Sequence, residues 1–271
     1  MAGDLDTATA APPDPDAPPR FPMDQLLANR RWVRRVRPFP HVYARDVFRA
    51  DFYRSLHEEF ERIERDDPKT FERNMGGYDA TGAPLIRFRH GPLGVFVSRE
   101  WHDVIAAVAG VNATGDINAA LHHHEPGSAS GWPHNDLNPS TFVGPPPGPD
   151  EVRLGGEGGV GVVSGDRPAG ATVREVIRGV SLLFYLGNPD WSPGDGGETG
   201  LFTDYATSAR GPARAVPPIN NSMVMFECTP RTWHAFMSNR VKARNSVVMW
   251  LHRAKDEVVE RWGDENIAYW K

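Results

Sequence analysis

The sequence predicts a mainly β domain with flanking helices, on three observations. Four short apolar runs, residues 179–186, 198–203, 222–227 and 244–251, occupy the second half of the chain, and turn-forming residues separate them. Helical periodicity is confined to segments outside these runs. With 271 residues, the chain can bury the core of one such domain. Many short strands joined by turns suit a double-stranded β-helix, the jelly-roll barrel that cupins share.

Three helices are expected to flank the barrel. Residues 52–63 hold four apolar side chains at helical spacing, Asp51 can cap the first turn, and Pro68 ends the helix. Ser98 is the predicted cap of a second helix, which ends at Gly110. A last helix is predicted to pack apolar residues on the barrel, namely Val258, Val259 and Trp262.

Composition narrows the class of protein. The chain has 30 Lys and Arg against 35 Asp and Glu, a net charge of -5, so neither nucleic acid nor a membrane is expected as a partner. Cys228 is the only cysteine, which excludes an intrachain disulfide and fits a reducing cytoplasm. No apolar run approaches the length that spans a bilayer. We therefore expect a soluble cytoplasmic protein whose metal ligands, if any, are His and carboxylate side chains.

The domain is predicted to cover residues 21–271. Residues 1–20 are rich in Ala, Pro and Asp, so they are predicted to form a disordered tail. They lack the positive start and the apolar centre of a secretory signal. The compact domain is therefore expected to begin near residue 21.

The candidate functional centre is residues 131–138, Gly-Trp-Pro-His-Asn-Asp-Leu-Asn, in which His134 and Asp136 stand two apart. If this segment is extended, residues two apart project to the same side of the backbone. An imidazole and a carboxylate can then reach one metal ion. A His-x-Asp triplet alone is common in surface loops, so the interpretation needs a third ligand.

His234 supplies that candidate, in a short loop after the apolar run 222–226. Two histidines and one carboxylate form the facial set that holds non-haem Fe(II) and leaves positions open for a co-substrate and O₂. Arg244 follows ten residues after His234 and opens the last strand-like run. Its guanidinium could hold a carboxylate through two hydrogen bonds beside the metal.

With these positions in order, the sequence resembles the iron(II)- and 2-oxoglutarate-dependent oxygenases, particularly the prolyl-4-hydroxylase-like branch. The resemblance covers roughly residues 38 to 253. That branch has His-x-Asp, a strand ending near Tyr-Leu, a Trp, Gly-Gly-Glu, a His, and a basic residue with a Trp beyond it. Those positions here are His134, Asp136, Tyr185, Leu186, Trp191, Gly196, Gly197, Glu198, His234, Arg244 and Trp250.

The resemblance implies a site for 2-oxoglutarate. The keto acid end of the co-substrate chelates Fe(II), and its far carboxylate pairs with the basic residue, here Arg244. Tyr185 and Trp250 are implied neighbours of the same molecule, with Ser246 on the face of the last strand. His124 stands where the family often carries a Tyr aimed at the co-substrate. For Tyr185 and Trp250, an ordinary core position is the alternative.

Two further motifs have competing interpretations. His122, His123 and His124 are adjacent on a predicted strand, so they point to alternate faces and cannot converge on one ion. The Gly- and Pro-rich insertion at about residues 140–178 contains G-x-G-x-x-G, but it lacks the strand and helix of a dinucleotide site. Long loops in compact domains are often functional. Because the insertion follows the candidate ligands, we expect a lid.

The predicted function is hydroxylation of an unactivated C–H bond, with succinate and CO₂ as co-products. The expected substrate is amino-acid-like or a natural product in a biosynthetic pathway, and a peptide or protein residue is the alternative. Desaturation and ring closure stay open as outcomes, and the oligomeric state is not predicted. A non-catalytic, cupin-like metal-binding sensor is a further alternative, since a fold does not settle function. Retention of the three ligands and Arg244 disfavours it.

Overall fold

The structure is a computed structural model that describes residues 19–73 and 78–269. The predicted N-terminal tail lies outside these residues, apart from its last two positions. The α-helices in the described part of the chain are α1 (Met23–Leu26), α2 (Ala50–Asp66), α3 (Arg99–Ala109) and α4 (Lys255–Trp262). None of them combines the length and the apolar character that crossing a bilayer requires.

The three predicted helices are present, but α2 begins earlier than expected. Its N-cap is Arg49, which makes no side-chain cap hydrogen bond, so the predicted capping role of Asp51 is wrong. Asp51 lies in the first turn instead, where its carboxylate accepts a hydrogen bond from the Phe52 amide at 2.9 Å. A negative charge in the first turn still interacts favourably with the helix dipole.

Ser98 caps α3 as predicted: its Oγ accepts a hydrogen bond from the Trp101 amide at 3.2 Å. Replacing Ser98 with Ala should lower the free energy of unfolding by about 1 kcal/mol. The melting temperature should fall by about 2 to 4 °C, which thermal unfolding followed by circular dichroism can measure. Ser55→Ala, inside α2, is the control and should cost nothing because Ala favours helices. Equal losses in both variants would contradict the capping role.

The strands coincide in part with the predicted runs. They are β1 (Val33–Arg35), β2 (His41–Arg45), β3 (Glu72–Arg73), β4 (Thr81–Pro84), β5 (Asp116–His124), β6 (Pro139–Val143), β7 (Arg153–Leu154), β8 (Val173–Tyr185), β9 (Thr199–Leu201), β10 (Arg214–Val216), β11 (Ser222–Glu227), β12 (His234–Phe236) and β13 (Arg244–Ala254). The run 222–227 matches β11. β8 and β13 extend beyond their predicted runs, because their pairing with neighbouring strands continues into polar sequence.

The strands form two sheets. The large sheet has the order β1-β2-β11-β8-β13-β5-β4-β3, with β6 also paired to β8 and β7 to β5; the small sheet is β10-β9-β12. Leu201 of β9 and Val216 of β10 pack against Leu183, Val224 and Val248 of the large sheet. Two largely antiparallel sheets with a shared core confirm the predicted jelly-roll.

Helices α2 and α3 cover one face of the large sheet. Leu56 and Phe60 of α2, with Trp101 and Ile105 of α3, share a buried cluster with alternate residues of the central strands. Those strand residues include Ile117, Leu121, Leu182, Phe184, Val247 and Met249. Because side chains alternate along a strand, the residues between them face the small sheet.

Register places polar residues in rows on this second face. Trp250 of β13 pairs with Asn118 of β5 and with Ser181 of β8. At the other end of the same strands, Arg244 lies opposite His124. The rows bring residues from distant parts of the sequence to one side of the sheet, and that side carries the predicted site.

Both ends of the Gly- and Pro-rich insertion are strands. β6 pairs with the beginning of β8, so residues 144–172 form the connection between them. Within this connection, Arg153 and Leu154 of β7 pair with the start of β5. The Thr141 amide also donates a hydrogen bond to the Val162 carbonyl at 2.8 Å. The insertion therefore lies against the large sheet at several points.

Candidate active site

His134, Asp136 and His234 come together in the structure. One potential ligand atom from each lies within 4.8 Å of the others. His234 Nε2 is 3.4 Å from Asp136 Oδ2, and His134 Nε2 is 3.8 Å from Asp136 Oδ1. Within the described part of the chain, no other group of three His, Cys, Asp or Glu residues is similarly placed.

The backbone holds the two histidines side by side. His134 and His234 form an isolated antiparallel bridge, and each amide donates to the other carbonyl, at 3.0 and 2.8 Å. The expected extended backbone ends at Asp136, where φ is 60°. Asp tolerates this left-handed conformation better than most residues. His134 and Asp136 therefore converge through a turn, rather than through the alternation of a regular strand.

Hydrogen bonds at Nδ1 orient both imidazoles. His134 Nδ1 lies 2.9 Å from the Trp132 carbonyl, and His234 Nδ1 lies 3.2 Å from the Thr232 carbonyl. A carbonyl only accepts, so Nδ1 carries the proton in both rings and a neutral ring keeps the lone pair at Nε2. Burial and the neighbouring His234 lower the pKa of His134 to about 4. His134 is thus neutral at pH 7, the state in which imidazole binds metals.

Three donors surround the Asp136 carboxylate. Arg178 Nη1 donates to Oδ1 at 2.6 Å, while Ser181 Oγ and Trp250 Nε1 donate to Oδ2 at 3.0 and 2.8 Å. Burial alone would raise the pKa of Asp136, but Arg178 and His234 hold it well below its usual range. A carboxylate has about four acceptor sites, so capacity for a metal remains beside these three hydrogen bonds.

Arg178 is the main site residue that the sequence analysis missed. In the sequence it stands at the end of the insertion, and no local motif marks it. Its side chain is buried, forms the ion pair with Asp136, and lies over the Trp250 ring at 3.8 Å from the ring centre. β8 supplies it because that strand begins six residues before the predicted apolar run. Trp250 thus contacts the candidate ligand Asp136 as well as the cavity, and its predicted contact with the co-substrate stays a prediction.

Arg244 is a buried cation, with 2% of its surface exposed. Nη1 donates to Ser246 Oγ at 2.8 Å and Nη2 to Thr199 Oγ1 at 3.2 Å, whereas Nε has no hydrogen-bond partner. Among residues 19–73 and 78–269, no carboxylate lies within ion-pair distance of its guanidinium. Burying an unpaired charge is costly, so this arrangement fits an anionic ligand that completes the pair.

The remaining predicted residues lie near Arg244 but outside the cavity wall. Tyr185 donates to or accepts from Thr199 Oγ1 at 2.6 Å, and the Arg244 guanidinium lies 5.2 Å from its ring centre. His124 is fully buried and stacked on Phe236, with ring centres 3.7 Å apart. Burial and Arg244 lower the pKa of His124 to about 2. Direct co-substrate contacts of Tyr185, Ser246 and His124 stay predictions, since none of the three lines the cavity.

The candidate ligands and Arg244 open into one cavity of about 510 Å³. This volume lies within the roughly 300–1,000 Å³ typical of small-molecule sites. Its walls combine apolar and polar side chains, including Tyr78, Pro84, Asn118, His122, Trp132, Asn138, Val162, Val163, Arg178, Ser181, Leu183, Thr199, Phe236, Val248 and Trp250. A second hollow of about 600 Å³, near residues 20–24, contains none of the predicted site residues.

The site fits Fe(II) and 2-oxoglutarate on the chemistry of its donors. Two imidazoles and one carboxylate are the ligand set of non-haem Fe(II) oxygenases. The buried guanidinium of Arg244, in the same cavity, matches a dianionic co-substrate that leaves one carboxylate away from the metal. The outer hydrogen bonds to all three candidate ligands are also formed, as is usual for metal sites.

Comparison with known proteins agrees with this chemistry. Residues 166–252 match the profile of a family described as the 2OG-Fe(II) oxygenase superfamily. Comparison with curated protein sequences finds no match. The matched segment includes His234, Arg244 and Trp250, while His134 and Asp136 precede it.

Two solved structures share the fold. One is a prolyl hydroxylase from Trichoplax adhaerens in complex with a hypoxia inducible factor oxygen degradation domain peptide fragment, at 13% identity and TM-score 0.53. The similarity covers 81% of this chain and 86% of that one. The other is the non-heme alpha ketoglutarate dependent carbocyclase SnoK from nogalamycin biosynthesis, at 13% identity and TM-score 0.51, covering 83% of this chain and 87% of that one.

The chain therefore shares the fold of a prolyl hydroxylase, and its residues 166–252 match the 2OG-Fe(II) oxygenase superfamily. It is an enzyme, an oxygenase that uses Fe(II), 2-oxoglutarate and O₂.

Proposed function

We propose that His134, Asp136 and His234 hold the catalytic Fe(II), and that Arg244 binds the far carboxylate of 2-oxoglutarate. The proposal rests on one observation. The three candidate ligands and the buried guanidinium of Arg244, which has no carboxylate partner in the described chain, face the same cavity. Ser246 and Thr199 orient the guanidinium, and Tyr185 orients Thr199 in turn.

When bound, iron and 2-oxoglutarate supply the oxidising power: O₂ and the co-substrate yield succinate, CO₂ and an oxygen atom that enters a C–H bond of the substrate. The protein contributes binding, orientation and a site from which bulk water is excluded. Arg178, Ser181 and Trp250 fix the Asp136 carboxylate. The Nδ1 hydrogen bonds of both histidines fix their tautomer.

The substrate is proposed to be a small molecule, amino-acid-like or a natural product in a biosynthetic pathway. The cavity size supports this class, and so does the insertion, whose Val162 and Val163 form part of the wall. Residues 144–172 are proposed to act as the lid that covers the substrate. A peptide is the second candidate, because Trp132 and Val163 keep the rim of the cavity exposed and apolar.

The proposal is tested by adding Fe(II) and then 2-oxoglutarate to the protein without oxygen. We expect a weak visible charge-transfer band that requires both Fe(II) and 2-oxoglutarate, because the band arises only when the keto acid chelates iron that the site holds. Admitting O₂ should discharge the band and release succinate. No band in protein shown by calorimetry to bind Fe(II) would contradict the proposed co-substrate site.

A further inference from the structure

We propose that the part of the cavity beside β5 is a substrate subsite for a neutral, largely apolar ring that carries a hydroxyl or carbonyl oxygen. Asn118 and His122 would hydrogen-bond that oxygen, and Trp132 and Tyr78 would pack against the ring. The inference rests on the proposed function and narrows its substrate class.

Asn118 and His122 are uncommitted polar groups in the cavity wall. They stand four apart on β5, so their side chains leave the same face of the sheet. Both are half-buried, and in the described structure neither side chain makes a hydrogen bond. Polar side chains in a cavity wall without protein partners are suited to a ligand, because buried polar groups are ordinarily satisfied.

These two groups are neutral. An amide has no charge, and burial together with Arg244 and Arg178 lowers the pKa of His122 to about 4. At pH 7 each group therefore offers one or more donors and an acceptor, but no ion pair. Their complement is an uncharged oxygen, such as a ketone or a hydroxyl, rather than a carboxylate or an ammonium.

The charged side chains of the wall already have other roles. Arg178 is paired with Asp136, and Arg244 is assigned to 2-oxoglutarate. In the described chain, Asp136 is the one acidic side chain that lines this cavity. A free amino acid would bring an ammonium group for which the wall offers no further carboxylate, so a zwitterion is disfavoured.

The rim of the cavity is apolar and aromatic. Trp132 is 48% exposed and Val163 is 50% exposed, although both side chains are large and hydrophobic. Tyr78 meets Trp132 edge to face, with ring centres 5.7 Å apart. Exposed apolar groups clustered at a cavity mouth mark a binding surface, and aromatic rings provide wide, flat contact area. This combination suits a ring system better than a flexible polar chain.

The test is calorimetry on the full chain loaded with Fe(II) and 2-oxoglutarate under nitrogen, using five probes. These are 2-naphthol, naphthalene, 2-naphthoate and L-phenylalanine, with acetyl-Gly-Pro-Gly-amide as a peptide probe. We expect 2-naphthol to bind at least about tenfold more tightly than 2-naphthoate, L-phenylalanine and the peptide. Tenfold in affinity corresponds to about 1.4 kcal/mol. Tighter binding of any charged probe or of the peptide would overturn the inference.

Single substitutions in the cavity wall test which side chains contact the probes. Asn118→Ala and His122→Ala should each weaken 2-naphthol about three- to tenfold and leave naphthalene unchanged, because one neutral hydrogen bond is lost. Trp132→Ala should weaken both probes. Tyr205→Ala is the matched control, since Tyr205 is 59% exposed and does not line the cavity, and it should change neither affinity. Equal losses for 2-naphthol and naphthalene in Asn118→Ala and His122→Ala would refute the hydrogen-bonding role.

The charge-transfer band distinguishes a failure of the proposed substrate class from a failure of the proposed function. If the band forms but 2-naphthol does not bind, the substrate class is wrong and the iron and co-substrate sites stand. If the band fails in iron-loaded protein, the proposed function itself is wrong.

Discussion

Replacing His134, Asp136 or His234 with Ala should reduce substrate-coupled succinate formation by more than about a hundredfold. Even the outer hydrogen-bond partners of metal ligands contribute 10- to 100-fold to metal affinity or activity, so the loss of a ligand should reduce activity further. Each variant removes one of three donors that converge within 4.8 Å, which weakens metal binding and disturbs the open positions. Succinate release, measured with Fe(II) affinity by calorimetry, checks this expectation.

The control must separate loss of a ligand from loss of the fold. Asp136→Ala leaves the buried Arg178 guanidinium without its carboxylate, which could cost about 3–5 kcal/mol of stability. Asp136→Asn keeps the shape of the side chain and one accepting oxygen, so it should be similarly inactive with a smaller loss of stability than Asp136→Ala. His90→Ala, an exposed histidine outside the cavity wall, should stay active. Full activity in any variant of the three ligands would refute the iron site.

Much of this architecture could be predicted because its signals are local. The two ends of α3 can be predicted from Ser98 and Gly110, which flank an apolar helical pattern and are its N-cap and C-cap. The run 222–227 is bounded by turn residues and matches β11. The three candidate ligands were identified by residue type and order, and the structure brings them together although the backbone at Asp136 is not extended.

The rest of the site depends on strand register, which the sequence does not display. Arg178 reaches Asp136 only because β6 and β8 pair, which brings together residues 42 apart in the chain. His122 and His124 share one face of β5, yet His122 lines the cavity while Phe236 covers His124. Which of them meets a ligand is decided by the position of β12 across the barrel, and no local pattern encodes that contact.

Arg244→Ala should weaken 2-oxoglutarate binding roughly ten- to a hundredfold. A hydrogen bond to a charged group contributes on the order of 1.5 to 3 kcal/mol, and each 1.4 kcal/mol is tenfold in affinity. The guanidinium is held by Ser246 and Thr199 and has no carboxylate partner in the described chain, so its charge is available to the ligand. Calorimetry of 2-oxoglutarate binding to the Fe(II)-loaded protein measures the loss.

Two further variants test whether 2-oxoglutarate binding depends on the geometry of the Arg244 guanidinium or on its charge alone. Arg244→Lys keeps the charge but loses the planar fork, so its affinity should fall between those of the wild type and Arg244→Ala. Arg240→Ala removes a nearby exposed arginine outside the cavity wall and should leave 2-oxoglutarate binding unchanged. Lys242 is already paired with Asp195 at 2.8 Å, which makes it a poor substitute for Arg244. Unchanged affinity in Arg244→Ala, or a larger loss in Arg240→Ala, would show that another cation binds the co-substrate.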